Sequence, residues 1–169
     1  HPNPRALLAP EPGSAKAGLD ALPDDERREV RQQLRSLNQA ALEELRAWWI
    51  ERMILTPRPF EEKMVLFWHG RFTSGADEVK FARLLSEQNA MFRKNAVGRF
   101  GDLLFAVCKD RAMLKYLDGD SNRKDHPNEN FARELLELFT LGAGYYTEQD
   151  IKEAARAFTG WSAGLDGFR

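Results

Sequence analysis

The sequence holds one cysteine, three histidines, no long apolar run and almost no net charge, and each shortage removes a class of protein. The lone Cys108 cannot form an internal disulfide, so cysteine usage leaves the redox compartment open. It stands among Leu103, Leu104, Phe105, Ala106 and Val107 and reads as a small core residue, not a nucleophile. With 25 Lys and Arg against 26 Asp and Glu, there is no concentrated basic face of the kind that nucleic-acid phosphates require. No apolar run approaches the roughly 20 residues that cross a bilayer, so a soluble chain without a transmembrane segment is expected. A glycine-rich phosphate loop is missing, and Ser74 and Ser121 lack the turn that exposes a hydrolase serine. Two-residue alternation is nowhere sustained and no repeat is present, which leaves an all-α chain.

What is there is helical periodicity. Residues 1–23 contain five of the eight prolines and read as an extended arm or linker; residues 24–169 read as one helical domain. Val30, Leu34, Leu37, Ala41, Leu45 and Trp48 recur at three- and four-residue steps and predict a helix from Asp24 to Leu55, stopped at Thr56-Pro57-Arg58-Pro59. Pro59 opens a second helix whose centre, Met64 to Trp68, is apolar on every side and predicts a buried, central element. Further helices are expected over 76–95 and 97–109, then from an Asp110 cap to Leu117. Thr147 and Asp150 form a capping box before a last helix with Ile151, Ala154, Ala155 and Phe158 on one face. The expected architecture is an irregular, orthogonal multi-helix bundle with a central buried helix and a proline-rich N-terminal arm.

The richest stretch is His126 to Gly142. Pro127 suits a first helical turn and Gly142 a left-handed stop. At 100° per residue, Phe131, Ala132, Leu135, Leu136, Leu138 and Phe139 share one side. The other carries Glu129, Asn130, Arg133, Glu134, Glu137 and Thr140. Those carboxylates invite acid/base or metal chemistry, with His69 as acid/base and Arg133 as charge stabiliser. Ion pairs of Arg133 with Glu129 and Glu137 are the plainer alternative, and no Glu-x-x-His motif is present. A predicted polar centre therefore comprises His69, Asn128, Glu129, Arg133, Glu134 and Glu137.

Just upstream, Asp118, Asp120, Asn122 and Glu129 occupy positions one, three, five and twelve of a calcium-loop spacing. Arg123 stands where that loop needs glycine, Asp125 where it needs an apolar residue, and Pro127 stiffens the exit, so a polar connector competes with calcium as the reading. Trp48, Trp49, Trp68 and Trp161 could form an aromatic ligand platform, although their helical spacing favours core packing.

The segments Trp68-His69-Gly70-Arg71-Phe72-Thr73, Gln88-Asn89, Tyr116-Leu117-Asp118, Asn128-Glu129-Asn130, Glu134 to Gly142 and Tyr146 to Trp161 occur in an order that resembles the bacterial family known as domain of unknown function 1800. The resemblance covers most of residues 45 to 162. It implies an exported protein of the periplasm, cell envelope or secreted fraction. It further implies that this chain, which opens without methionine, is the N-terminal part of a longer protein whose composite site is divided. The family brings no established reaction. The leading expectation is a structural or protein-interaction module with a protein partner, or with the rest of its own polypeptide. Its rivals are a metal- or carboxylate-dependent enzyme using His69 and the Glu129–Glu137 helix, and a module stabilised by calcium in the Asp118–Glu129 loop.

Overall fold

The computed structural model describes residues 19–164 and 167–168 of the chain, so most of the expected arm lies outside the described residues. The helices are α1 (Asp24–Leu55), α2 (Pro59–Arg71), α3 (Ala76–Val79), α4 (Ala82–Asn95), α5 (Phe100–Cys108), α6 (Arg111–Tyr116), α7 (Asn130–Glu134) and α8 (Glu148–Ala157). A 3-10 turn, Gly119–Ser121, follows α6, and a π-helical turn, Leu135–Thr140, continues α7. The all-α expectation holds. Two-residue strands β1 (Ala163–Gly164) and β2 (Gly167–Phe168) pair antiparallel after the last helix, too short to leave an alternating pattern in the sequence.

Local chemistry accounts for most boundaries. Asp24, Asp25 and Glu26 face the positive end of α1, and Thr56 turns extended ahead of Pro57. Pro59 occupies the first turn of α2. The side chain of Asp110 accepts from Met113 N and caps α6, and the Thr147–Asp150 capping box starts α8.

Three sequence expectations need correction. The helix expected over 76–95 breaks at Lys80, whose φ of 62° ends α3 in a left-handed turn. Asn38 on α1 bridges the break: its Nδ2 donates to Lys80 O (2.5 Å) and its Oδ1 accepts from Ala82 N (2.9 Å), so a distant amide starts α4. The second correction concerns α2. Val65 is fully buried, but Leu66 and Phe67 are largely exposed, so the all-apolar centre has an uncovered side. The central helix is α4, which packs against α1, α2, α3, α5 and α6 and buries Leu84, Ser86, Gln88, Asn89 and Phe92.

The third correction is the stretch after His126. Asn128 holds the chain in a loop, donating from Nδ2 to Ser121 Oγ and accepting from Asn130 N at Oδ1, so Pro127 precedes the helix. The wide turn that follows carries a Leu141 N to Leu136 O bond (2.8 Å), and the Thr140 hydroxyl donates to Leu135 O (2.7 Å). This widening carries Phe139 into the core, edge-on to Phe72 at 5.0 Å, and leaves Leu138 49 % exposed. Gly142 takes the expected left-handed turn. Phe72 sits at the middle of the main core with Phe92, Leu103, Met113 and Phe131, and Cys108 belongs to the same cluster, where burial pushes its thiol up to about 11.

A candidate binding cleft beside the widened helical turn

The largest concentration of resemblance-bearing segments meets at one cleft of about 520 Å3. The end of α2 contributes Gly70 and Arg71, and the link behind it Thr73. Tyr116 and Leu117 end α6, α7 supplies Asn130 and Glu134, and the π turn supplies Leu138 and Phe139. Hydrogen bonds to backbone carbonyls brace these walls: Asn130 Nδ2 donates to Leu117 O (3.2 Å), and the Thr73 hydroxyl donates to Gly70 O (3.1 Å). Glu78 enters from α3. Among the described residues, Arg71, Glu78 and Glu134 form no ion pair or hydrogen bond with one another or with other side chains. The cleft therefore offers two carboxylates and a guanidinium free to hydrogen-bond a ligand beside Tyr116, Leu138 and Phe139.

The expected polar centre is divided: Glu129, Arg133 and Glu137 stay neighbours through Glu148 and Tyr146, while His69 and Glu134 line two separate clefts. His69 stacks on Trp49 (centroids 5.2 Å apart, 16° between planes) and faces Phe92 at 6.0 Å. It lines a smaller cleft of about 170 Å3 with Arg46, Ser74 and Asn89. Arg133 grips both carboxylate oxygens of Glu148 on α8, at 2.8 and 2.9 Å, with Glu129 at 3.3 Å. Glu137 accepts from Tyr146 OH at 2.6 Å instead of pairing with Arg133, because it lies in the widened turn. Of the four candidate catalytic residues, only Glu134 lines the main cleft.

The Asp118 loop also takes a different form from a calcium loop. Asp120 pairs with Lys115, and Glu129 with Arg133. Asn122 is buried, donating from Nδ2 to Ala155 O (2.6 Å) and accepting from Asn128 N (3.0 Å). Asp118 lends its backbone carbonyl to Ser121 Oγ and Asn128 Nδ2. Protein groups thus engage side-chain oxygens of Asp120, Asn122 and Glu129 that the spacing assigns to a cation, while the exposed Asp118 carboxylate has no partner among the described residues. No group of three or more His, Cys, Asp or Glu able to hold a metal occurs among the described residues.

Two buried polar clusters have no signature as clusters in the sequence, although Asp110 reads as a helix cap and Gln88 lies in a resemblance-bearing segment. Glu62 joins Arg52, Arg93 and Trp49 beneath α1, α2 and α4. Asp110 accepts from Gln88 Nε2 (2.7 Å), which also donates to Ser74 Oγ (2.9 Å). The tryptophans serve packing: Trp68 donates to Ala96 O, Trp161 packs on Phe158 and Phe168, and Arg52 and Arg93 lie over Trp48.

No curated protein and no solved structure matches this chain. A family model does, over residues 3–167, a longer span than the motif-bearing 45 to 162, and the chain therefore belongs to the family described as Protein of unknown function (DUF1800).

Proposed function

We infer that this chain is an interaction module of an exported bacterial protein, working in the cell envelope, and that the main cleft receives a basic side chain of a polypeptide partner. The observation that carries the reading is the combination of Glu78, Glu134 and Arg71, unpaired among the described residues, with an apolar wall in a cleft of about 520 Å3. Two carboxylates against one guanidinium favour a cation, and Tyr116 and Leu138 suit its aliphatic stem. Arg71 can donate to a neighbouring carbonyl or carboxylate of the same segment. Export and envelope location rest on the family resemblance. A polypeptide partner includes further sequence of the same protein.

The test is calorimetric titration with blocked tripeptides that differ only in a central Lys, Glu or Leu. The Lys peptide should bind best, and Glu134→Gln and Glu78→Gln should each weaken it. Equal affinity for all three peptides would remove the reading. A second reading, an enzyme, has one observation in its favour: Glu134 and Arg71, a carboxylate base and a charge stabiliser, line the same cleft. Turnover lost in Glu134→Gln with ligand binding intact would favour it.

A further inference from the structure

The uncovered side of α2 has a composition of its own. Counted at 100° per residue, Phe60, Lys63 and Phe67 fall within a 60° arc, spanning about 10 Å along the helix. Phe60 is 65 % exposed and Phe67 56 % exposed. The patch continues onto the next segment through the Trp68 ring, which touches Phe67 at 4.9 Å and Phe100 at 6.0 Å. The Trp68 indole donates to Ala96 O (2.9 Å), which brings the exposed Val97 alongside. Lys94 and Arg99 flank Val97 in the chain, both exposed.

Charge is one-sided here. Among the described residues, Lys63, Lys94 and Arg99 have no acidic partner, while Glu61 is paired with Arg58 and Glu62 is buried against Arg52 and Arg93. Asp102 is the exposed acid that remains in these segments. Aromatic rings standing in solvent between unpaired cations fit poorly in a protein–protein core, where lysine is depleted. They fit a lipid headgroup layer, where rings enter the acyl boundary and lysine stems reach back to phosphate. No helix among the described residues is long and apolar enough to cross a membrane, so this contact would be peripheral.

We propose that the face formed by Phe60, Lys63, Phe67, Val97, Arg99 and Phe100 is a docking surface for an anionic lipid bilayer. It is separate from the cleft and does not depend on the reading given for it. Binding combines shallow burial of the rings with attraction of cations to lipid phosphates, each cation near the surface contributing roughly fivefold to partition.

The test is co-sedimentation of the full chain with phosphatidylcholine vesicles and with vesicles of phosphatidylcholine and phosphatidylglycerol mixed, at low and high salt. The chain should bind the mixed vesicles, bind the neutral ones at least tenfold more weakly, and release as salt screens the phosphates. Lys63→Glu with Arg99→Glu should reduce partition at least tenfold, and Phe60→Ser with Phe67→Ser should abolish it, with helical circular dichroism unchanged because these side chains are exposed. Equal binding to neutral vesicles, or wild-type binding by both double variants, would overturn the proposal. So would no vesicle binding together with a dimer in solution that Phe67→Ser dissolves, which would assign the face to a second copy of the chain.

Discussion

Glu62 on α2 and Arg93 on α4 form a forked ion pair, Nε to Oε1 at 2.5 Å and Nη2 to Oε2 at 3.0 Å, with Glu62 almost wholly buried. Arg52 of α1 reaches the same Oε1 at 2.6 Å, and Trp49 donates to Oε2 at 3.2 Å. One carboxylate thus ties α1, α2 and α4 together. Arg93 is further fixed by Asn89 Oδ1 at 2.7 Å and by the face of Trp48.

Removing only Glu62 leaves two guanidinium groups facing each other without a counter-charge. Glu62→Ala should therefore lower unfolding free energy by about 3–5 kcal/mol, read from urea denaturation at pH 7. Burial pushes the Glu62 carboxyl up, but hydrogen bonds and charge from Arg93 and Arg52 outweigh it and hold the group below the ordinary range. Its stabilising contribution is accordingly complete above the ordinary glutamate range and fades as pH falls through the lowered folded value. A midpoint unmoved by Glu62→Ala would show that the triad adds nothing to the fold.

Asp110 has the opposite sign. Burial drives its carboxyl up to about 7, against the hydrogen bonds from Met113 and Gln88, with Glu87 adding repulsion. The native state holds a proton here that the unfolded chain releases near pH 4, so this residue's contribution falls as pH rises from about 4 to about 7. The loss is of the order of a few kcal/mol. Asp110→Asn keeps an acceptor for Met113 N and should flatten that part of the stability curve, measured by thermal unfolding between pH 4 and 8. The same slope in both proteins would relieve Asp110 of the role.

Helix positions were legible because capping and periodicity act over a few residues: Pro59, Asp110, the Thr147 box and Gly142 all do what their types imply. The failures share a different cause. Lys80 breaks its helix because Asn38, 42 residues earlier, supplies the bonds that allow it. The π turn goes with the packing of Phe139 on Phe72, a tertiary contact. Residue types alone could not show that Glu62 meets two arginines while Glu134 meets none. Candidate acids were visible in the sequence; which of them the fold would neutralise was not.

Asn122 separates the calcium reading from the connector reading. In the connector its amide donates to Ala155 O and accepts from Asn128 N, so Asn122→Ala should cost about 2–3 kcal/mol with or without calcium. Asn122→Asp would preserve a cation ligand but set a carboxylate against the Ala155 carbonyl, and should destabilise as well. Calcium titration of the wild-type chain should leave its melting temperature unchanged, since Lys115 and Arg133 already meet Asp120 and Glu129. A saturable rise reversed by EDTA would restore the calcium loop.

Arg133 and Glu134 are adjacent, yet their roles divide, and substitutions should divide with them. Arg133 clamps α7 to α8 through Glu148, and the side chains of both partners are well exposed, 37 % and 68 %. Water and salt screen such a pair, so Arg133→Ala should shift the unfolding midpoint only slightly, less at high salt, and leave the peptide affinity of the cleft intact. Glu134 makes no such clamp. Glu134→Gln should leave the midpoint unchanged and weaken Lys-peptide binding about tenfold, the loss typical of a charge-assisted bond of about 1.4 kcal/mol. Paired thermal melts and titrations of the two variants give the answer. If Arg133→Ala weakened binding and Glu134→Gln did not, the ligand-facing surface would lie on the α8 side of α7, and the cleft beside the π turn would lose its claim.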